Sequence, residues 1–132
     1  MRTILLAMTL LLSGCATTSD DPLDLYGANS SGSALTRAVE KAAAFPLGSK
    51  ENPVRANMPP GQRAYLARLR CSDNSAPTFS REGSFGIGPY GSIIDRYAVT
   101  CASGTPPTAS IYMDMYHSHA EAAAVPGFTI VP

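Results

Sequence analysis

Two stretches of alternation, each running into a cysteine, restrict the folds open to this chain more than any other feature. In Ala64-Tyr65-Leu66-Ala67-Arg68-Leu69-Arg70-Cys71, the residues Tyr65, Ala67, Leu69 and Cys71 share one side, while Arg68 and Arg70 share the other. In IIDRYAVTC (93–101), Ile93, Tyr97, Val99 and Cys101 align in the same way. A period of two marks a half-buried strand, so both segments are expected as strands with the cysteine on the apolar side. The first can also be drawn as a short helix. A third run, ASIYMDMYH (109–117), sets Ile111, Met113 and Met115 against Tyr112, Asp114 and Tyr116. It follows the loop Gly104-Thr105-Pro106-Pro107, which predicts an antiparallel hairpin between the second and third runs.

Upstream, residues 33–45 predict a helix capped by Ser33 and stopped by Pro46, with Leu35, Val39 and Ala42 on one face. That stripe is thin, so the helix is expected at the margin of the domain. Pro46, Gly48, Pro53, Pro59, Pro60 and Gly61 leave room for only a short extended piece near Val54. Between the first two strands lies the insert SDNSAPTFSREGSFGIGPYGS, read as a long glycine-rich loop and the leading candidate for a contact surface, with Phe85, Ile87 and Tyr90 as its binding residues. The tail from Val125 to Val131 predicts a short edge strand. The expected fold is therefore a small α+β domain over residues 34–132: a mainly antiparallel sheet of three or four strands with one flanking helix.

The first 14 residues belong to something else. After Arg2, the run Ile4 to Leu12 carries no charge. About ten apolar residues fall short of the ~20 that span a bilayer as a helix, so the run reads as a targeting segment. It ends in Leu12-Ser13-Gly14-Cys15, which resembles the lipobox of bacterial lipoproteins. The resemblance covers residues 1–15. It implies a signal peptide over 1–14, a diacylglyceryl group on Cys15, and a mature chain that starts there, N-acylated. Several acyl chains hold a protein to a bilayer where a single one binds only reversibly. Ala16 in place of the aspartate typical of retained lipoproteins implies the outer membrane, with the domain facing the periplasm. Residues 15–33 then form the lipidated cysteine and a polar tether, whose root-mean-square reach is on the order of 20–25 Å.

With Cys15 assigned to lipid by that resemblance, Cys71 and Cys101 remain, and the oxidising compartment it implies favours a disulfide between them. Closing that loop is expected to stabilise the domain by about 3–4 kcal/mol on the chain-entropy estimate. Nine basic residues face ten acidic ones once Arg2 is removed with the signal. So even a balance recommends neither nucleic acid nor an acidic surface as partner.

Chemical motifs are sparse. Gly83-Ser84-Phe85-Gly86-Ile87-Gly88 has the wrong glycine order for a dinucleotide loop, and no helical pattern follows it. His117 and His119 would share one side of an extended backbone, with Asp114 and Glu121 adjacent, a weak metal-site pattern in which His117, His119 and Glu121 are the candidate ligands. Asp95 and Asp114 could oppose each other across the predicted hairpin as an acid pair. There is no G-x-S-x-G elbow, and both internal cysteines are committed. The expectation is a non-enzymatic, cofactor-free protein-binding module anchored in the envelope. Small disulfide-bearing lipoproteins that resemble this layout include lysozyme inhibitors, immunity proteins and assembly accessories. GPYGSIIDRYAVTC and IYMDMYH are similar to stretches of small uncharacterised envelope proteins, a likeness that implies no activity. The alternative is an envelope metal-binding protein or hydrolase centred on Asp114, His117, His119 and Glu121.

Overall fold

The hairpin predicted from the second and third alternating runs is the centre of the molecule. A computed structural model of the chain describes residues 31–132; the signal peptide, Cys15 and nearly all of the tether lie outside the described residues. Strand β4 (Ile93–Thr100) pairs antiparallel with β5 (Thr108–Asp114) in unbroken register from Asp95↔Met113 to Thr100↔Thr108. On the far side of β5 the two-residue β1 (Val54–Arg55) adds in parallel, and on the far side of β4 the ten-residue β3 (Thr78–Ile87) adds antiparallel, giving the order β1-β5-β4-β3. A second small sheet joins β2 (Leu69–Arg70) antiparallel to β6 (Thr129–Ile130). The fold is α+β with a mainly antiparallel four-stranded sheet. No helix among the described residues is long and apolar enough to cross a membrane.

Among the described residues two helices are present where the sequence suggests one. The first, α1 (Gly32–Ala42), begins one residue before the expected cap, with Ser31 at the N-cap, and buries only Ala42, as its thin stripe implies. The second, α2 (Met58–Arg68), corrects the reading of 64–71 as a strand, of which only Leu69–Arg70 is extended. Pro59 and Pro60 read as loop punctuation in the sequence. They occupy the first turn of the helix, where proline's missing N–H forfeits nothing and its fixed φ suits the helix. The burial of Tyr65, Leu66 and Leu69 follows a helical face, whereas Ala67, expected inward, is exposed.

That face of α2 covers one side of the sheet. Tyr65, Leu66 and Leu69 join Val54, Tyr97, Val99, Ile111 and Met113 in the core, closed off by Val125, Phe128 and the Cys71–Cys101 disulfide. Gly48 brings the segment after α1 flush against this core: its φ is +85°, its carbonyl accepts from the Tyr112 N–H at 2.8 Å, and a Cβ there would lie 2.7 Å from Val125 Cγ1. Tyr65 ties α2 to the C-terminal segment, its hydroxyl donating to the Ala123 carbonyl at 3.0 Å and accepting from the Val125 N–H at 3.1 Å. Tyr65→Phe should therefore cost about 1–2 kcal/mol, because the buried Val125 N–H loses its acceptor. Urea denaturation should register this as a lower midpoint at unchanged slope.

The insert between 72 and 92 is the second correction. Its central ten residues are strand β3, and Gly83 and Gly86 mark irregularities within that strand: the register with β4 shifts between Arg81 and Gly83 and again between Ser84 and Ile87. Glycine at such bulges is the backbone's way of bending an edge strand. The true turn is short, running from Gly88 to Ser92, with the Gly88 N–H donating to the Ser92 carbonyl at 2.8 Å.

Candidate functional site

Register decides where the polar residues go. Asp95 pairs with Met113, so Asp95 faces α2, and Asp114, one residue further along β5, points to the opposite side of the sheet. The acid pair imagined across the hairpin does not exist.

On the α2 side, Asp95 is 3% exposed and both of its oxygens are engaged. Oδ1 accepts from Arg81 Nη2 at 2.7 Å and from Ser84 Oγ at 3.2 Å; Oδ2 accepts from Gln62 Nε2 at 3.2 Å. The Gln62 side-chain oxygen in turn accepts from the Tyr97 hydroxyl at 3.0 Å. Burial by itself would raise the Asp95 carboxyl. The hydrogen bonds from Arg81, Gln62 and Ser84, together with the Arg81 charge, outweigh it and hold the group below the usual carboxylate value. A depressed carboxyl contributes stability above its unfolded pKa of about 3.9 and loses that contribution as pH falls through the folded value. The domain should accordingly weaken below about pH 4. Asp95→Asn should flatten that part of the curve of unfolding free energy against pH while lowering stability at neutrality. Gln62, Arg81, Asp95 and Tyr97 form one wall of a cleft of about 410 Å³ whose other walls come from Pro59, Arg63, Phe79 and Met115.

On the other side, Asp114 is fully buried. Its Oδ2 accepts from Ser92 Oγ at 2.8 Å and lies 3.2 Å from His117 Nε2; its Oδ1 accepts from the Tyr116 N–H at 3.1 Å. The edge of the His117 ring meets Tyr90 at a centroid separation of 5.4 Å, and the Tyr90 hydroxyl donates to Asn52 Oδ1 at 3.1 Å. Burial raises the Tyr90 phenol, opposed by the Arg55 guanidinium 6.0 Å from its ring. Ser92, Asp114 and His117 are each under a tenth exposed, and the serine hydroxyl donates to the acid. The arrangement is a buried polar cluster that braces the Gly88–Ser92 turn.

The remaining candidates separate. His119 Nε2 sits 3.3 Å from Glu121 Oε2, half-buried and apart from the Asp114 cluster, while Glu121 Oε1 accepts from the Ala122 and Ala123 N–H groups. His117 and His119 thus have different carboxylates. Among the described residues no group of three or more His, Cys, Asp or Glu side chains is placed to hold a metal ion. Of the expected binding residues, Tyr90 is 1% exposed and belongs to the interior, which corrects its reading as a contact residue. Phe85 is half-buried, edge-on to Tyr112 and 3.9 Å under the Arg96 guanidinium. Only Ile87 stands clear, at 57% exposed, opposite Ile93 at 44%.

Gln62, Arg81 and Ser92 carry no mark of their roles in the sequence, and Arg63 reads there as part of a solvated strand face with Arg68 and Arg70. An asparagine followed closely by two prolines, Asn57-Met58-Pro59-Pro60, was the signal for α2, and with that helix drawn Gln62 falls on the face that buries Tyr65 and Leu66. No protein-family model matches the chain, and no curated protein or solved structure matches it significantly.

Proposed function

We propose that this chain is a lipoprotein of the bacterial envelope, held by an acylated Cys15 in the outer membrane, whose domain faces the periplasm and works as a non-enzymatic protein-binding module. The localisation rests on the lipobox-like Leu12-Ser13-Gly14-Cys15 and the uncharged run before it. The binding role is supported chiefly by one observation: large apolar side chains stand in solvent at Ile87, Ile93, Met58 and Tyr116, between 41% and 57% exposed, while the two buried carboxylates, Asp95 and Asp114, lie on opposite faces of the sheet. Exposed apolar area beside a cleft is what a partner would cover. Inhibition, immunity and assembly are the roles such a module serves.

Purification of the anchored protein with its partners from its own envelope tests this reading, with Cys15→Ser as the comparison. The native chain should fractionate with membranes and gain the mass of its acyl groups, and Cys15→Ser should be released. A reproducible partner is expected with both; its absence from both would overturn the binding role, and an unmodified Cys15 on the processed chain would overturn the anchor.

A further inference from the structure

We infer that the cleft between the start of α2 and the β3–β4–β5 face is the docking site of that module, and that it takes an acidic side chain on an extended peptide segment, with an apolar residue next to it. The inference rests on the binding-module reading and names the chemistry of its partner.

Charge is the first argument. Two guanidiniums, Arg63 and Arg81, border the cleft against a single carboxylate, Asp95. Asp95 has both oxygens occupied from within, so it neutralises one cation and leaves an excess of one positive charge. Arg63 has no hydrogen-bond or ion-pair partner among the described residues.

Preorganisation is the second. Arg81 is bound to Asp95 and Ser84 through Nη2 alone, and its side chain remains 47% exposed. One corner of the fork is pinned while Nε and Nη1 are left to donate. A guanidinium already fixed in place gives up less side-chain entropy when it closes on a carboxylate, and the planar fork suits that group bidentately.

Shape is the third. About 410 Å³ accommodates one or two side chains, and the apolar surfaces of Pro59, Phe79 and Met115 adjoin the guanidiniums. Met58, the neighbour of Pro59 in the chain, is 50% exposed with φ +58°, a left-handed conformation costly for a residue with a Cβ, and its N–H donates to the Met115 carbonyl at 2.7 Å. Strain held beside a cleft is a recurrent mark of a working surface. Phe79 and Arg81 come from β3, the edge of the sheet, so a segment laid along that edge would pass the cleft extended.

The test titrates the soluble Cys15→Ser chain with three short peptides: one with both ends blocked containing Leu-Glu-Leu, the same with Leu-Gln-Leu, and the Gln peptide with a free C-terminal carboxylate. The blocked Glu peptide should bind at least tenfold more tightly than its Gln counterpart, shift the amide resonances of Arg63, Arg81 and Met115, and weaken as salt rises. Arg63→Glu should abolish binding at an unchanged melting temperature, because the replaced side chain is exposed and unpaired. Equal binding of the Glu and Gln peptides, binding of the free-carboxylate peptide alone, no binding at millimolar peptide, or full binding by Arg63→Glu would each overturn the assignment. Capture of the envelope partner by Arg63→Glu separates the two levels: a partner retained sinks the cleft and spares the module, and a partner never captured by the native chain sinks the module itself.

Discussion

Replacing Cys71 and Cys101 together with alanine is expected to cost the domain about 3–4 kcal/mol, from the chain entropy released when a loop of this length is opened. The two cysteines are 30 residues apart in sequence and both sulfurs sit in the core, 2% and 5% exposed as residues. A domain of this size is stable by only about 5–15 kcal/mol, so the loss is a large fraction of the whole. Flanking loops reinforce the link without replacing it: Asp73 accepts from Ser75 and from Ser103, and the Thr105 N–H donates to Ser72 Oγ at 2.8 Å. The disulfide joins the segment that leaves α2 to the end of β4, the two elements that carry Gln62 and Asp95. Its removal should therefore loosen the cleft before the domain unfolds globally. Urea denaturation of native, reduced and Cys-free chains checks the prediction; midpoints that coincide would refute it. Loss of the amide shifts of Gln62 and Arg63 at denaturant concentrations below the main transition would support the earlier loosening.

Asp114→Ala should be next in severity, at about 2–4 kcal/mol. The carboxylate is wholly buried, and the Ser92 hydroxyl, the Tyr116 N–H and His117 Nε2 all converge on it. Removing it takes an acceptor from the Ser92 hydroxyl and the Tyr116 N–H, about 1–3 kcal/mol for the two together because each has further contacts, and opens a void beneath the turn. Asp114→Asn keeps the volume and one acceptor and should lose less than half as much. The two variants together separate the void from the lost polar partner. An alanine variant within about 0.5 kcal/mol of the native chain, the range of an inconsequential surface change, would show that the cluster braces nothing. Because Ile87 and Ile93 flank the Gly88–Ser92 turn, Asp114→Ala should also broaden their methyl resonances, which ties the brace to the exposed surface.

Legibility in the sequence followed how local the cause was. The β4–β5 hairpin needed only alternation and a Gly-Pro loop, and both are local. The helix α2 was hidden because four apolar positions, Tyr65, Ala67, Leu69 and Cys71, fit a period of two by coincidence while Leu66, as fully buried as Leu69, did not. Strand β3 was hidden because glycines at bulges look like glycines in loops until the partner strand reveals the shift in register. Tyr90 looked like a contact residue because an aromatic in a glycine-rich segment carries no local sign of whether neighbours will cover it.

From its residues alone the chain declares a small α+β domain, the central hairpin, and two cysteines placed to face an apolar side, because alternation, turn chemistry and composition act over a few neighbouring positions. Which polar groups meet was settled only by the tertiary structure. Pairing Asp95 with Met113 sent Asp95 and Asp114 to opposite faces, and α2 then carried Gln62 33 residues through the sequence to meet Asp95. A shift of one residue in register would exchange those faces, and no local pattern encodes that choice; the packing of strand on strand and helix on sheet does.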